Sequence, residues 1–335
     1  NETKTMWQFL DDKSKKVVVQ IAPSVRVGVG EEFGIPATVP TIGKIVTALK
    51  RLGADVVFDT SLSADLTIME ESAEFLEKLN SGAKLPMFTS CCPAWIKHVE
   101  KTYPELMPQV STCGSPMEMF GALIRTFYKD EDVYSVAIMP CTAKKAEAAR
   151  PEMVKDGKRL TDLVITTQEL VRMIKEAGID FANLPDTEPD KPFAEYTGAG
   201  VIFGVTGGVT EAVIRTVLAD KSAETIAKVA ECGVRGLEGI KAFEVTAGDV
   251  ALRIAVANGL ANADKLVEKV QSGEEFFHFI EVMACPGGCV NGGGQPIVSA
   301  QKRMEADPRQ LRAKAIYNED LGKPIRKSHE NPEIQ

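Results

Sequence analysis

The chain has 335 residues, 44% of them hydrophobic and 26% charged, with 27 Gly and 18 Pro; it can bury a sizeable core and is neither fibrous, collagen-like nor disordered in composition. Its formal net charge of −8, from 47 acidic against 39 basic residues, provides no broad positive field for nucleic acid or anionic membrane. No segment approaches the roughly 18 consecutive apolar residues of a membrane span, so neither nucleic acid nor membrane is expected as a partner.

The run up to Lys16 has no apolar core or small-residue cleavage pattern, so no secretory signal is expected, and an initial Asn1 suggests a start that was trimmed or lies further upstream. Val17 to Ile21 is a β-branched run that ends at Ala22-Pro23-Ser24, the pattern of a buried strand and a turn. Thr41 to Leu52 carries Ile45, Val46, Leu49 and Leu52 on one helical face, and Gly53 stops it. Ala54 to Phe58 (strand), Ala64 to Leu79 (helix) and Pro86 to Thr89 (strand) follow, the last running into Cys91-Cys92-Pro93, where a helix begins. Further on, the pattern predicts a helix over Met117 to Tyr128, strands over Tyr134 to Met139 and Leu163 to Thr166, and a helix over Gln168 to Ala177. It then predicts a strand over Gly200 to Gly204, helices over Glu211 to Ala219 and Val250 to Ala261, and a strand over Phe276 to Ala284.

This rhythm predicts an α/β protein with parallel sheets flanked by helices on both faces. Gly178 to Thr197 reads as a connector, and the basic segment from Lys302 onward as a short helical tail wrapping the core. In such sheets ligands gather beyond the carboxyl ends of the strands, where Cys91, Cys92, Cys141 and Cys285 fall.

Seven cysteines, at 91, 92, 113, 141, 232, 285 and 289, are an odd count in a chain that needs no disulfides, which favours a reducing compartment and metal or thiol chemistry. Cys285-Pro286-Gly287-Gly288-Cys289 spaces two thiols around glycines that can fold under a bulky inorganic group. A zinc site prefers closer pairs; joined by Cys92 and Cys141, the pair suits a [4Fe–4S] cluster, with buried structural cysteines as the alternative. Cys113 and Cys232 read as structural.

The glycines at 28, 30 and 34 and at 198, 200 and 204 miss the dinucleotide spacing, and Asn291 to Pro296 lacks the Lys-Ser/Thr of a phosphate loop. His98, His278 and His329 have no ligand spacing and read as structural or solvated. Glu70, Glu71, Glu74 and Glu77 share a helix that is otherwise apolar, so some of these carboxylates can be drawn inward, where a raised pKa lets them carry protons.

Three segments together are decisive: Thr89-Ser90-Cys91-Cys92-Pro93-Ala94-Trp95, Met139-Pro140-Cys141-Thr142-Ala143-Lys144-Lys145-Ala146-Glu147, and Glu281-Val282-Met283-Ala284-Cys285-Pro286-Gly287-Gly288-Cys289 with Gly292-Gly293-Gly294-Gln295-Pro296. In order and over nearly the whole chain, from Ile21-Ala22-Pro23-Ser24-Val25-Arg26 to Pro324-Ile325-Arg326-Lys327, it resembles the catalytic domain of [FeFe]-hydrogenases.

The resemblance implies two lobes, with the H-cluster in the cleft between them and a lobe boundary near 135–200, and a catalytic domain over 1–300. It implies a small-subunit-like wrapping segment over 301–335, complete or truncated. It implies reversible H₂ = 2 H⁺ + 2 e⁻ by heterolytic cleavage, with H₂ and protons as substrates, ferredoxin or a similar carrier as electron partner, maturation proteins for assembly, and a cytoplasmic location. Cys92, Cys141, Cys285 and Cys289 would hold a [4Fe–4S] cube, and Cys289 would bridge to a diiron subcluster with CO, CN⁻ and azadithiolate ligands. Lys144, paired with Glu147, and the Pro23-Ser24 loop match positions that grip the cyanides. Met139, Phe203 and Met283 match apolar positions around the diiron unit.

By the same resemblance, Cys91, Glu71, Ser111 and Glu74 match a proton relay. Lys78 stands at its outer end, where relatives often carry Arg. Cys113-Gly114-Ser115-Pro116 replaces a run in which a Lys is common before Ser-Pro, and Met117 stands where Gln is frequent. No ferredoxin-like cysteine series precedes Asn1 in this sequence, so either accessory clusters are not needed or a segment lies further upstream. An H₂-sensing regulatory protein on the same scaffold is the alternative reading, opposed by the intact relay, and an iron–sulfur assembly protein is the third.

Overall fold

A computed structural model describes residues 2–218, 227–247 and 250–334. Helix α1 (Thr3–Asp11) leads into β1 (Lys16–Ile21), α2 (Ile42–Leu52), β2 (Val56–Asp59), α3 (Ser61–Ser81), β3 (Met87–Phe88), α4 (Pro93–Thr102), α5 (Pro116–Phe127) and β4 (Val133–Met139). Then come α6 (Ala143–Ala148), the small hairpin β5 (Val154–Lys155) and β6 (Lys158–Arg159), β7 (Leu163–Thr166), α7 (Thr167–Glu176), α8 (Gly198–Ile202) and α9 (Gly208–Val217). Strands β8 (Ile240–Ala247) and β9 (Val250–Asn258), α10 (Leu260–Gln271), β10 (Phe279–Met283), α11 (Ala300–Glu305) and α12 (Pro308–Gly322) complete the order.

The first sheet runs β2-β1-β4-β7 and is parallel throughout. Side chains on a strand alternate between faces, and β1 shows the result: Val17, Val19 and Ile21 enter a core with α1, α2 and α7, whereas Val18 enters another with Phe58, Leu62 and Phe120. Gln20 shares that second face, and its buried amide is satisfied by the Met117 carbonyl at 2.9 Å and the Thr60 hydroxyl at 3.1 Å. The second sheet runs β3-β10-β9-β8. On one face Met87, Ile254 and Phe279 pack with Ile68 and Phe75 of α3; on the other Phe88, Ala255 and Ile280 pack with Trp95 of α4 and Leu266 of α10. Helix α3 thus belongs to both sheets, with Leu62 in the core of the first and Ala64, Ile68 and Phe75 in that of the second.

The α/β class is as expected, with several differences in detail. Val250 to Ala261 is mostly the strand β9: its alanines favour a helix in isolation, but Leu252, Ile254 and Val256 are buried between β8 and β10, and burial outweighs propensity. Strand β8 was not anticipated; it pairs antiparallel with β9, so this sheet is mixed. Gly200 to Gly204 is not a strand but the end of the short helix α8 and the turn after it. The Thr197 hydroxyl caps α8 by accepting from the Ala199 and Gly200 N–H groups, and a Cβ at Gly200 would stand 2.2 Å from the Ser61 carbonyl oxygen. Helix α10 was also unforeseen. The helix expected to reach Ala219 ends at Val217, and Ala219 lies outside the described residues.

The tail packs by charge as much as by apolar contact. Arg312 reaches Glu31 and the Val290 carbonyl; Asp320, fully buried, receives Arg215 and Arg326; Asp65 on α3 accepts from Ser328 and Asn331. No described helix is long and apolar enough to cross a membrane.

Candidate metal centre and proton relay

The loops leaving β1, β3, β4 and β10 converge on one cavity of about 90 Å³. After β3, the backbone extends through Cys92, which precedes Pro93 at the first turn of α4, a position where a missing N–H costs nothing. After β4, Pro140-Cys141 enters α6. After β10, Cys285 and Cys289 flank Gly287 and Gly288 in left-handed conformation; a Cβ at Gly288 would meet the Thr206 nitrogen at 2.5 Å, so only glycine passes.

Cys91, Cys92, Cys141, Cys285 and Cys289 all line this cavity, with Pro23, Ser24, Met139, Lys144, Phe203 and Met283. Every expected ligand position and cofactor-contact position therefore shares one space, and all seven cysteines are free thiols. Pro116, Met117 and Ala94 line it too. Gln295 supports it from behind, donating to the Ser24 carbonyl at 2.7 Å. Only the Gly-Gly-Gly-Gln-Pro motif hinted at that role.

Burial pushes the Cys285 thiol up to about 11 and raises Cys92 and Cys289 as well; Cys285 and Cys289 each feel the other cavity thiols as like charges. Four such thiolates cannot persist together without cationic charge among them, which is the donor set of a metal group. Among the described residues no three His, Cys, Asp or Glu side chains stand close enough to hold a single ion. Four thiolates on one zinc, at Zn–S of about 2.3 Å, would lie about 3.8 Å apart; thiolates capping separate irons of a cube stand wider, so the set fits a cluster and not a mononuclear site.

One cation faces the thiols. Lys144 Nζ donates to the Cys91 carbonyl at 3.2 Å and pairs with Glu147 at 2.7 Å, both side chains being buried. Burial pulls its pKa down, but Glu147 more than offsets this and the ammonium is held above its ordinary value.

Glu71, Ser111 and Glu74 lie outside the cavity wall, in file behind Cys91. The Cys91 thiol is pushed far up, first by burial and then by Glu71. Glu71 is 1% exposed, and burial followed by the charges of Glu74 and Glu281 raises it to about 8, against the opposing pull of the Ser111 hydroxyl and the Ser90 N–H. Three residues on, Glu74 is the opposite. It accepts from Ser111 Oγ at 2.7 Å and the Thr112 N–H at 3.0 Å, and pairs with Lys78 at 2.9 Å. Burial pulls its pKa up, but Ser111 and Lys78 hold it below the usual carboxylate range.

Two buried carboxyls were not singled out. Glu281 on β10 accepts from the Gly207 and Thr210 N–H groups at 2.7 and 2.8 Å, tying β10 to the start of α9. Glu118 on α5 is raised to about 7, by burial first and then by Glu147. An isolated glutamate carries no burial signal in a single sequence. The three histidines lie outside the cavity; His98 bonds Asp264 at 2.6 Å, and His278 Nδ1 accepts from the Arg253 N–H.

A thiol-lined cavity at the strand ends of two sheets, with one buried cation, defines an iron–sulfur protein. The family described as "Iron only hydrogenase large subunit, C-terminal domain" matches residues 15–293, and "Iron hydrogenase small subunit" matches 306–335. "NADP-reducing hydrogenase subunit HndD" of Solidesulfovibrio fructosivorans is 46% identical over 99% of this chain and 59% of its own length. "Iron hydrogenase 1" of Clostridium pasteurianum is 46% identical over 96% and 57%. This chain thus spans under two thirds of the length of these curated relatives. A solved structure of a variant of "[FeFe]-hydrogenase HydA1 from Chlamydomonas reinhardtii" superposes with a TM-score of 0.82 at 39% identity, covering 100% of this chain and 93% of that one. The chain belongs to the [FeFe]-hydrogenase family.

Proposed function

We propose that the protein interconverts H₂ with protons and electrons at an H-cluster held in the thiol cavity. The observation that carries this reading is the placement of four cavity cysteines on three loops, with a fifth, Cys91, beside them and a buried carboxyl behind it. Cys92, Cys141, Cys285 and Cys289 would hold the [4Fe–4S] part, and Cys289 also the diiron part with its CO, CN⁻ and azadithiolate ligands; when bound, this group would supply the iron chemistry that exchanges electrons and splits H₂ heterolytically. Lys144 and the Pro23-Ser24 loop present donors to its anionic ligands, while Met139, Phe203 and Met283 exclude water around it.

The chain's remaining task is proton movement. Cys91, its pKa far up, stays a neutral thiol that can accept and release a proton without leaving a buried charge. Glu71, raised to about 8, is a neutral acid at pH 7 and takes the next position. Ser111 passes the proton to Glu74, which pairs with Lys78 at the outer end of the relay. Residues 1–300 form the catalytic unit and 301–335 a wrapping segment; the electrons come from ferredoxin or another small carrier, maturation proteins load the site, and the seven free thiols favour a reducing, cytoplasmic setting.

The test is anaerobic H₂ evolution by protein whose infrared spectrum shows metal-bound CO and CN⁻. Turnover with a reduced carrier is expected, and Cys91→Ala should lower it by about 100-fold or more with the iron content unchanged. Full loading without turnover would end the enzymatic reading in favour of a sensor. A second similarity makes the infrared bands the sharper readout: "Cytosolic iron-sulfur assembly component 3" of Rattus norvegicus is 33% identical over 84% of this chain, and a [4Fe–4S] cluster with no CO or CN⁻ bands after maturation would favour an assembly role.

A further inference from the structure

A second cavity, of about 250 Å³, lies beside the relay and shares only Pro93 with the thiol cavity. Its lining includes Ser90, Ser111, Cys113, Gly114, Ser115 and Glu147. Ser111 is therefore at once a member of the relay and part of this wall. Its Oγ donates to Glu74 at 2.7 Å and accepts from the Cys113 N–H at 3.2 Å, and Cys113 Sγ stands 3.7 Å from the same Glu74 oxygen.

We propose that Ser111 is a branch point from which protons leave into water in this second cavity, in parallel with the route along Glu74 and Lys78. The inference rests on the relay described under Proposed function. Three observations carry it. Glu74 already accepts from Ser111, Thr112 and Lys78, so a proton arriving there must displace one of these donors before it moves on. The second cavity, though lined more by apolar than by polar surface, is roomy enough to hold water and takes in Ser90, Ser111 and Ser115, the last with a buried hydroxyl that has no protein partner. Finally, Gly114 contributes no side chain to the wall, so the space near Ser111 stays open.

The accounting closes without charge left on the serine. The protonated Glu71 carboxyl gives its proton to a lone pair of Ser111 Oγ, and Ser111 releases its own hydroxyl proton to cavity water. Rotation about the Cβ–Oγ bond selects Glu74 or the cavity as recipient.

The experiment compares Ser111→Ala, Glu74→Gln and Glu74→Gln/Gly114→Phe in loaded enzyme, with Gly114→Leu as a second way to fill the cavity. A Cβ at Gly114 meets the Met119 side chain at 3.3 Å and no backbone, so this flexible side chain is what must first give way to either replacement. Ser111→Ala should lose about 100-fold or more, Glu74→Gln should keep about a tenth of the turnover, and the double variant should fall to the Ser111→Ala level. Independently of activity, maleimide labelling of Cys113, followed by peptide mapping, should slow about tenfold when Gly114 is filled, since Cys113 lines the same space. Glu74→Gln as inactive as Ser111→Ala, a double variant no worse than Glu74→Gln, or unchanged labelling overturns the branch. Full activity in Ser111→Ala overturns the relay itself.

Discussion

The two sheets make unlike contributions to the cavity. The first sends Cys141, the Pro23-Ser24 loop and the cation Lys144; the second sends the other four thiols, Cys91, Cys92, Cys285 and Cys289. Ligand thiolates would thus concentrate negative potential on one side, while Lys144, the cation among the described cavity residues, enters from the other, so a metal group bound between them would join two cores that also share α3.

The largest test of that division is removal of a thiol from each side. Cys289→Ala and Cys141→Ala should both abolish cluster retention, read as iron content; if Cys141→Ala keeps a full complement of iron, the first sheet is not a partner in binding. Next is the cation. Lys144→Ala strands the buried Glu147 carboxylate and should cost about 3–5 kcal/mol in denaturant unfolding, most of it recovered by Lys144→Met/Glu147→Leu. An equal loss in the double variant would assign the effect to packing instead of charge.

Third comes pH. The Glu71 carboxyl, raised from 4.5 to about 8 by burial and its acidic neighbours, binds its proton more tightly folded than unfolded. Its contribution is full below pH 4.5 and is lost as pH rises through about 8, on the order of 4 kcal/mol in all. In Glu71→Gln the fall in thermal stability over that window should flatten. The smallest effect is at the outer end, where Lys78→Arg keeps the charge beside Glu74 and should change turnover by about twofold or less.

How much of this was legible depended on whether a residue's role is local. The parallel strands β1, β4 and β7 show as short β-branched runs because they are buried on both faces, and the cysteine loops show because glycine and proline must flank them. Strand β9 reads as a helix because its alanines are small, a property that here serves tight packing against α4 and α10. The file from Cys91 to Glu74 came from family resemblance; spacing alone showed no more than two glutamates on one turn. Glu281 and Glu118 were invisible, since what makes them unusual is a partner, or the lack of one, supplied by distant chain.

The segment that leads into the tail buries nothing: α11 has no buried residue, whereas α12 beyond it sinks Arg312, Ala313, Ala315, Ile316 and Asp320 into the body. Attachment of the last thirty or so residues is therefore carried by side chains and not by the covalent join. A gene cut within 300–305 should yield two polypeptides that find each other when made together, so one open reading frame or two can encode the same particle.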